Sequence, residues 1–101
     1  MRKITKETVY AFENNEKFKK QNMVVNELGM YLHNHKIAEF VSRIRFEDGN
    51  KNINITLAGW NTNTTRERLN GLEGVRVTTK HGQAYLNGEK WNGDWITIIR
   101  N

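Results

Sequence analysis

The chain has 101 residues, the size of one domain, and we expect a single domain over residues 1–101. It contains no cysteine, which excludes disulfides, thiolate metal sites and a cysteine nucleophile. The formal net charge of +5 and the pI of about 9.7 favour an anionic partner: nucleic acid, an acidic protein or an anionic small molecule. No run approaches the ~18 apolar residues of a membrane span, and no apolar signal core follows the basic start, so we expect a cytoplasmic protein without a membrane partner.

The N-terminal segment predicts a helix followed by a basic stretch. Thr5 is suited to cap a helix that runs to Asn14. Phe18 is an isolated aromatic residue among three lysines: Lys17, Lys19 and Lys20. This pattern is typical either of a nucleic-acid-binding arm or of a solvated surface around one buried phenylalanine.

The middle of the chain predicts strands. Short strands over 23–28 and 30–33 lead through a turn at Asn34 and His35 to a longer strand over 37–46. The dipeptide Asp48–Gly49 is a hairpin signal, and folding the chain there gives one apolar face. The predicted pairs on that face are Ile44 with Ile53, Ser42 with Ile55 and Phe40 with Leu57.

The opposite face of this predicted hairpin is one candidate site. It would carry Arg43 and Arg45 beside the amide side chains of Asn52 and Asn54. Arginines and amides on a flat sheet are suited to phosphates or base edges. The alternatives are a solvated face, or a face covered by the N-terminal helix.

The segment over 53–74 is the most specific run and predicts a strand, a turn after Gly59 and a short helix. Thr64 and Glu67 form a capping box at the helix start, and Gly71 suits a left-handed stop. A helix start with hydroxyl groups and arginines attracts a phosphate or a carboxylate. The residues of this second candidate site are Thr64, Thr65, Arg66 and Arg68. The alternative is a capped helix without a ligand.

The C-terminal third predicts a second hairpin and a last strand. A turn at His81–Gly82 pairs Val77 with Leu86 and Thr79 with Ala84. The last strand, over 95–100, is expected to be mostly buried. Four aromatic residues near predicted turns provide either core or a surface that contacts a protein or stacks on bases: Trp60, Tyr85, Trp91 and Trp95. The candidates for protein contact are Tyr85, Trp91 and Trp95.

The sequence offers little for catalysis or metal binding. His33 and His35 would share one face of a strand, but no third ligand accompanies them, so we expect no metal and no cofactor. Asp94 lies between two tryptophans in a predicted turn. No nucleophile elbow, phosphate-binding glycine loop or kinase signature is present, and we expect a protein that is not an enzyme.

Several blocks resemble one family. A-G-W-N-T-N-T-T-R-E-R-L-N-G-L-E-G-V-R-V over 58–77 and Y-L-N-G-E-K-W-N-G-D-W over 85–95 are similar to small proteins encoded by tailed bacteriophages. Y-L-H-N-H-K-I-A over 31–38 and A-F-E-N-N-E-K-F-K-K-Q-N over 11–22 are similar to the same family, with Asn34 where glycine is usual. The resemblance implies a phage origin and a small accessory role, and it supplies no catalytic residues.

These patterns predict an α+β fold with an antiparallel sheet of about five to seven strands, an N-terminal helix and a short capped helix near 64–70. We expect non-catalytic binding of an anionic partner, nucleic acid or a nucleotide-type ligand, by a phage factor of host takeover or counter-defence. The alternative is a protein-directed inhibitor of a host defence enzyme, similar to an anti-CRISPR, and a third interpretation is a virion component. Exposed strand edges would also permit a homodimer.

Overall fold

The computed structural model describes residues 1–101 and contains three helices and nine strands. The helices are α1 (Lys3–Glu13), α2 (Arg45–Asp48) and α3 (Asn63–Leu69). The strands are β1 (Phe18–Lys20), β2 (Met23–Asn26), β3 (Gly29–Leu32), β4 (His35–Phe40), β5 (Ile53–Ile55), β6 (Val77–Lys80), β7 (Gln83–Leu86), β8 (Glu89–Lys90) and β9 (Ile96–Ile98). No helix has the length and apolarity that crossing a bilayer requires.

The strands form two antiparallel sheets. The larger sheet has six strands in the order β1-β2-β3-β4-β5-β9, and the smaller has three in the order β6-β7-β8. Only β9 departs from chain order, because it returns after the small sheet to pair with β5. This architecture confirms the predicted α+β class, the antiparallel pairing and the N-terminal helix.

One apolar core joins both sheets to α1 and α3. Its 20 buried residues include members from each of these elements. In β2 and β5 the buried residues alternate with partly exposed ones, as they do when one face of a strand is turned inward. Ile53 and Ile55 of β5 are fully buried, so the core is centred on that strand.

The start of α1 and the turn between β3 and β4 lie at other residues than predicted. α1 begins at Lys3, so Thr5 lies inside the first turn and does not cap the helix. Thr5 is fully buried, and its hydroxyl donates to the Glu67 carboxylate of α3. The turn between β3 and β4 comes one residue earlier than predicted, because His33 and Asn34 are the residues with positive φ, 50° and 67°.

The predicted antiparallel pairing of the two strands on either side of Asp48–Gly49 is confirmed, but the predicted tight turn and register are wrong. β4 ends at Phe40, which pairs with Ile53 and not with Leu57. The residues between β4 and β5 form a loop and the short helix α2. Ile44, which the prediction placed in the core, is therefore 56% exposed.

Local hydrogen bonds around Asp48 account for the difference. Its carboxylate accepts a hydrogen bond from the Ser42 hydroxyl at 2.6 Å and one from the Asn50 backbone N–H at 2.8 Å. Side-chain bonds of this kind compete with the strand ladder and favour turns. Gly49, with φ of 73°, then ends α2 as a left-handed cap, so the dipeptide terminates a helix and does not build a hairpin.

The second hairpin is confirmed in its register. Val77 pairs with Leu86 and Thr79 with Ala84, about a turn at His81–Gly82. Both turn residues have positive φ, which suits the twist of a tight hairpin.

The last strand is shorter and more exposed than predicted. β9 covers only Ile96–Ile98, and of the three isoleucines in this part of the chain only Ile98 is buried. Ile99 is 71% exposed. The reason is that β9 is an edge of the larger sheet, so one side of it has no neighbouring strand.

Gly71 lies where the chain after α3 approaches α1. It does not take the predicted left-handed conformation. A Cβ atom at this position would lie 2.7 Å from Thr5 Cγ2 and 2.8 Å from Val9 Cγ2. We predict that Gly71→Ala lowers the free energy of unfolding by about 1–3 kcal/mol in urea denaturation, because the added methyl group overpacks this contact.

The control for Gly71→Ala is the same substitution in a Thr5→Ser, Val9→Ala background. That background removes both methyl groups and keeps the buried hydroxyl. The cost of Gly71→Ala should then shrink, and an unchanged cost would rule out the steric explanation.

Candidate functional site

A cavity of about 450 Å³ opens between the β3–β4 turn and the segment that leads into α3. Apolar side chains form part of its lining: Leu32, Ile37 and Ala58. Aromatic and polar side chains complete it: His33, His35, Trp60, Thr62, Thr64 and Thr65. The cavity therefore combines apolar surface with a small number of hydrogen-bonding groups, which is the usual composition of a ligand site.

Two tight turns bring the rings of the cavity together. The β3–β4 turn carries His33, whose Nε2 lies 3.2 Å from the Asn22 side-chain amide nitrogen. After β5, Ala58 and Gly59 have φ of 52° and 83°, and this reversal leaves Trp60 56% exposed. The Trp60 and His35 rings face each other at a tilt of 43°, with centroids 6.3 Å apart.

The start of α3 forms one wall of the cavity, with a different cap from the predicted one. Thr62, not Thr64, is the N-cap, and its Oγ1 accepts from the Thr65 backbone N–H at 3.2 Å. The Thr62 and Thr65 hydroxyl oxygens are also 2.9 Å apart. The predicted capping box is thus wrong, and the Thr64 hydroxyl, which lines the cavity, is left without a partner inside the protein.

The two arginines predicted for this site lie in different environments. Arg66 donates to the Asn61 and Asn63 side-chain oxygens, the latter at 2.5 Å, and pairs with no carboxylate. Arg68 is only 2% exposed and donates to Thr5 Oγ1 at 3.0 Å and to Glu67 Oε1 at 2.5 Å. Neither side chain lines the cavity, and Arg68 instead joins α3 to α1.

Glu67 is the carboxylate of that buried contact. Burial alone would raise its pKa, but hydrogen bonds from Thr5 and Arg68, together with the charge of Arg68, hold the pKa below its ordinary value. Because the folded-state pKa lies below the unfolded one, the stabilisation is present above the unfolded pKa. It is lost as the pH falls through the folded pKa.

Arg43 and Arg45 do not form the sheet-face site that the hairpin prediction required. Arg43 is exposed in the turn before α2. Arg45 stacks on Phe40 and Phe46, with its guanidinium carbon 3.6 Å and 4.1 Å from the two ring centroids. Desolvation lowers the pKa of Arg45. Both arginines lie outside the cavity.

The three predicted protein-contact aromatics are also separated. Trp91 is buried, and its Nε1 donates to the Asp94 carbonyl at 3.0 Å. Tyr85 is half-buried on the small sheet, and Trp95 is 49% exposed beside β9. Of the three, only Trp95 is a surface side chain.

The sequence missed the combination that forms the cavity. In the sequence, His33 and His35 indicate at most a pair of metal ligands, and the structure contains no group of three or more potential ligating side chains. Trp60 is predicted as core or as a stacking surface, and its proximity to His35 does not follow from the sequence. The β3–β4 turn and the turn after β5 meet because β4 and β5 are neighbours in the sheet, and the sequence predicts this pair of strands with a different register.

We predict that Glu67→Gln lowers the free energy of unfolding by roughly 2–3 kcal/mol near neutral pH, because it leaves the buried Arg68 charge without its carboxylate. The difference from wild type should shrink in acid, where Glu67 itself is protonated. Urea denaturation at both pH values measures this. Glu73→Gln is the matched control, since the Glu73 side chain is exposed and unpaired, and an equal loss there would contradict the assignment.

Comparison with known proteins identifies the family of the chain but finds no similar solved structure. No curated protein and no solved structure matches the chain. The Kyanoviridae Gp96 protein family matches residues 1–99, nearly the whole sequence. The resemblance to a phage family is therefore confirmed: the chain belongs to the Kyanoviridae Gp96 protein family of bacteriophage proteins.

Proposed function

We propose that this phage protein is a non-catalytic accessory factor that binds a small nucleotide-type anion in the Trp60 cavity, in host takeover or counter-defence. The observation that carries the proposal is the meeting of an exposed indole, two imidazoles and the free Thr64 hydroxyl around one cavity of about 450 Å³. A phage factor of this kind would act by retaining a nucleotide-type signal, without converting it.

The size and lining of the cavity support a small ligand over a polymer. Ligand cavities typically measure about 300–1,000 Å³ and are mainly apolar with a few polar groups. The alternative anionic partner, nucleic acid, has less support, because one of its two predicted contact surfaces, the flat face with Arg43 and Arg45, is absent. The nucleotide-type ligand is therefore the better supported of the two.

Trp60 would supply the stacking surface for the base. Its ring is more than half exposed and lines the cavity, and the tilted His35 ring lies beside it. Stacking of a base on an aromatic side chain contributes about 1–3 kcal/mol and tolerates any base. The expected specificity is thus for a planar ring carrying an anionic group.

Polar groups at the cavity would receive the anion. The Thr64 hydroxyl has no partner in the protein, and His35 makes no hydrogen bond there either. Arg66 adds a positive charge without a carboxylate partner close to this wall. Binding is favoured over catalysis because His33 is held by the Asn22 amide and not by a carboxylate that would activate it.

We predict that adenosine and uridine mono- and triphosphates quench Trp60 fluorescence saturably, and that Trp60→Leu weakens their binding by roughly tenfold or more. Isothermal titration calorimetry gives the affinities. Trp95→Leu is the matched control, because Trp95 is similarly exposed and lies outside the cavity. Adenosine and inorganic phosphate, titrated separately, distinguish base stacking from recognition of the anion.

Two outcomes would contradict this proposal. One is the absence of binding by every nucleotide at low salt, where attraction between charges is strongest. The other is equal weakening by Trp60→Leu and Trp95→Leu, which would mean that the cavity is not the site.

The second candidate function is a protein-directed inhibitor of a host defence enzyme. The observation that favours it is the exposure of apolar side chains between β4 and β5: Val41, Ile44 and Phe46. Exposed apolar groups that lie together mark protein interaction sites. This surface differs from the one the sequence indicated, which relied on Tyr85, Trp91 and Trp95.

For this second function we predict that Phe46→Ser abolishes a stoichiometric complex with the host defence enzyme that the wild type captures from host lysate, while Trp60→Leu leaves the complex intact. Phe46 is exposed, so the substitution should cost little stability. Size-exclusion chromatography of the mixture is the measurement. Loss of the complex with Trp60→Leu alone would instead assign the contact to the cavity.

A further inference from the structure

The two edges of the six-stranded sheet are protected differently. β1, at one edge, carries Lys19 and Lys20. Charged residues, lysine above all, prevent another strand from pairing with an edge. β9, at the other edge, lies in the run W-I-T-I-I over 95–99, which has no charge and no proline. The β9 edge is therefore open to strand addition.

The register of β5 identifies the free backbone groups of β9. Two bonds to β4 fix the alternation: Val41 N–H to Asn52 O and Thr56 N–H to Ile37 O. Antiparallel bonding alternates along a strand, so Ile53 and Ile55 bond to the opposite neighbour, through Ile98 and Ile96. The N–H and C=O of Thr97 consequently point away from β5, to the open side.

We propose that β9 is a self-association edge, at which β9 of a second copy pairs antiparallel across a two-fold axis at Thr97. A two-fold interface must be complementary to itself, and this segment is symmetric about Thr97 in residue character. The resulting cross-strand pairs are Thr97 with Thr97, Ile96 with Ile98 and Trp95 with Ile99. Trp95 and Ile99, both exposed in one chain, are buried against each other in this pairing.

The charges at the two ends of the segment also complement each other. Asp94 precedes the segment and Arg100 follows it. The exposed Lys51 lies beside Arg100, whose Nε donates to the Lys51 carbonyl at 2.8 Å. Arg100 is already paired with Glu13, so Lys51 provides the unpaired positive charge. Antiparallel pairing brings the acidic end of one copy to the basic end of the other, and parallel pairing would bring like ends together.

A groove adjoins β9. It measures about 360 Å³ and lies between β9 and the small sheet. Its lining combines apolar residues, among them Leu86, Trp91 and Ile99, with the charged Glu89 and Lys90 of β8. No residue of 94–100 lines the Trp60 cavity, so the dimer and the nucleotide site are independent, and failure of one leaves the other standing.

Sedimentation equilibrium from micromolar to millimolar chain concentration tests the proposal. We expect a monomer–dimer equilibrium whose Kd rises roughly tenfold or more in Ile99→Lys, since the substitution occurs twice across the interface. Leu28→Lys is the matched control, because Leu28 is an exposed aliphatic residue in the turn between β2 and β3, two strands that do not neighbour β9 in the sheet. Its Kd should equal that of the wild type.

A pair of cysteine variants tests the same interface even if Ile99→Lys does not fold. The chain has no cysteine, so Thr97→Cys introduces one thiol on the proposed axis, and Thr79→Cys introduces one at an exposed position of β6. On mild oxidation, Thr97→Cys should form a disulfide-linked dimer much faster than Thr79→Cys. The proposal is overturned by a wild type that stays monomeric to millimolar concentration, by a dimer indifferent to Ile99→Lys, or by equal cross-linking of the two cysteine variants.

Discussion

The pairing of β5 on both of its sides is the constraint on which the rest of the structure depends. The strand has three residues, yet β4 and β9 both bond to it, and Ile53 and Ile55 are fully buried. Burying each of these side chains contributes about 1.5–3 kcal/mol. A shift of the strand pairing by one residue would place the Asn54 side chain in the core, so the burial of Ile53 and Ile55 fixes the register.

That register also produces the candidate site. Thr56 follows β5, and its Oγ1 accepts from the Ala58 N–H at 3.0 Å and donates to the Gly93 carbonyl at 2.7 Å. These bonds hold the chain at the point where it reverses and exposes Trp60. On the neighbouring strand β4, the first residue, His35, presents its ring beside Trp60. The sheet and the cavity therefore have one physical origin, and the open β9 edge is the other consequence of the same pairing.

The parts that the sequence predicted correctly depend on residues close together in the chain. The Val77–Leu86 hairpin follows from a turn dipeptide and a short alternation on either side, which local chemistry determines. The turn and register predicted for the first hairpin are wrong although its sequence pattern is similar. Alternation of apolar and polar residues does not distinguish a buried Ile44 from an exposed one. The hydrogen bonds that the Asp48 side chain accepts favour a loop and the short helix α2 in that segment.

The candidate site was predicted only in part, for a similar reason. Thr64 and Thr65 line the cavity as expected, but their neighbours on it come from a distant turn. The sequence places Arg68 in the same site because it follows Thr64 and Thr65 closely in the chain. In the structure its partner is Thr5, which is 63 positions away. Contacts of that range depend on packing, which single-sequence patterns do not specify.

Nuclear magnetic resonance of the three indole N–H groups during titration with ATP tests the central claim most directly, since the chain has three tryptophans. The account predicts that the Trp60 signal shifts saturably, together with the ring signals of His33 and His35. The signals of Trp91, which is buried, and Trp95, which is outside the cavity, should stay in place. An unmoved Trp60 signal at saturating ATP, or a shift confined to Trp95, would contradict the account.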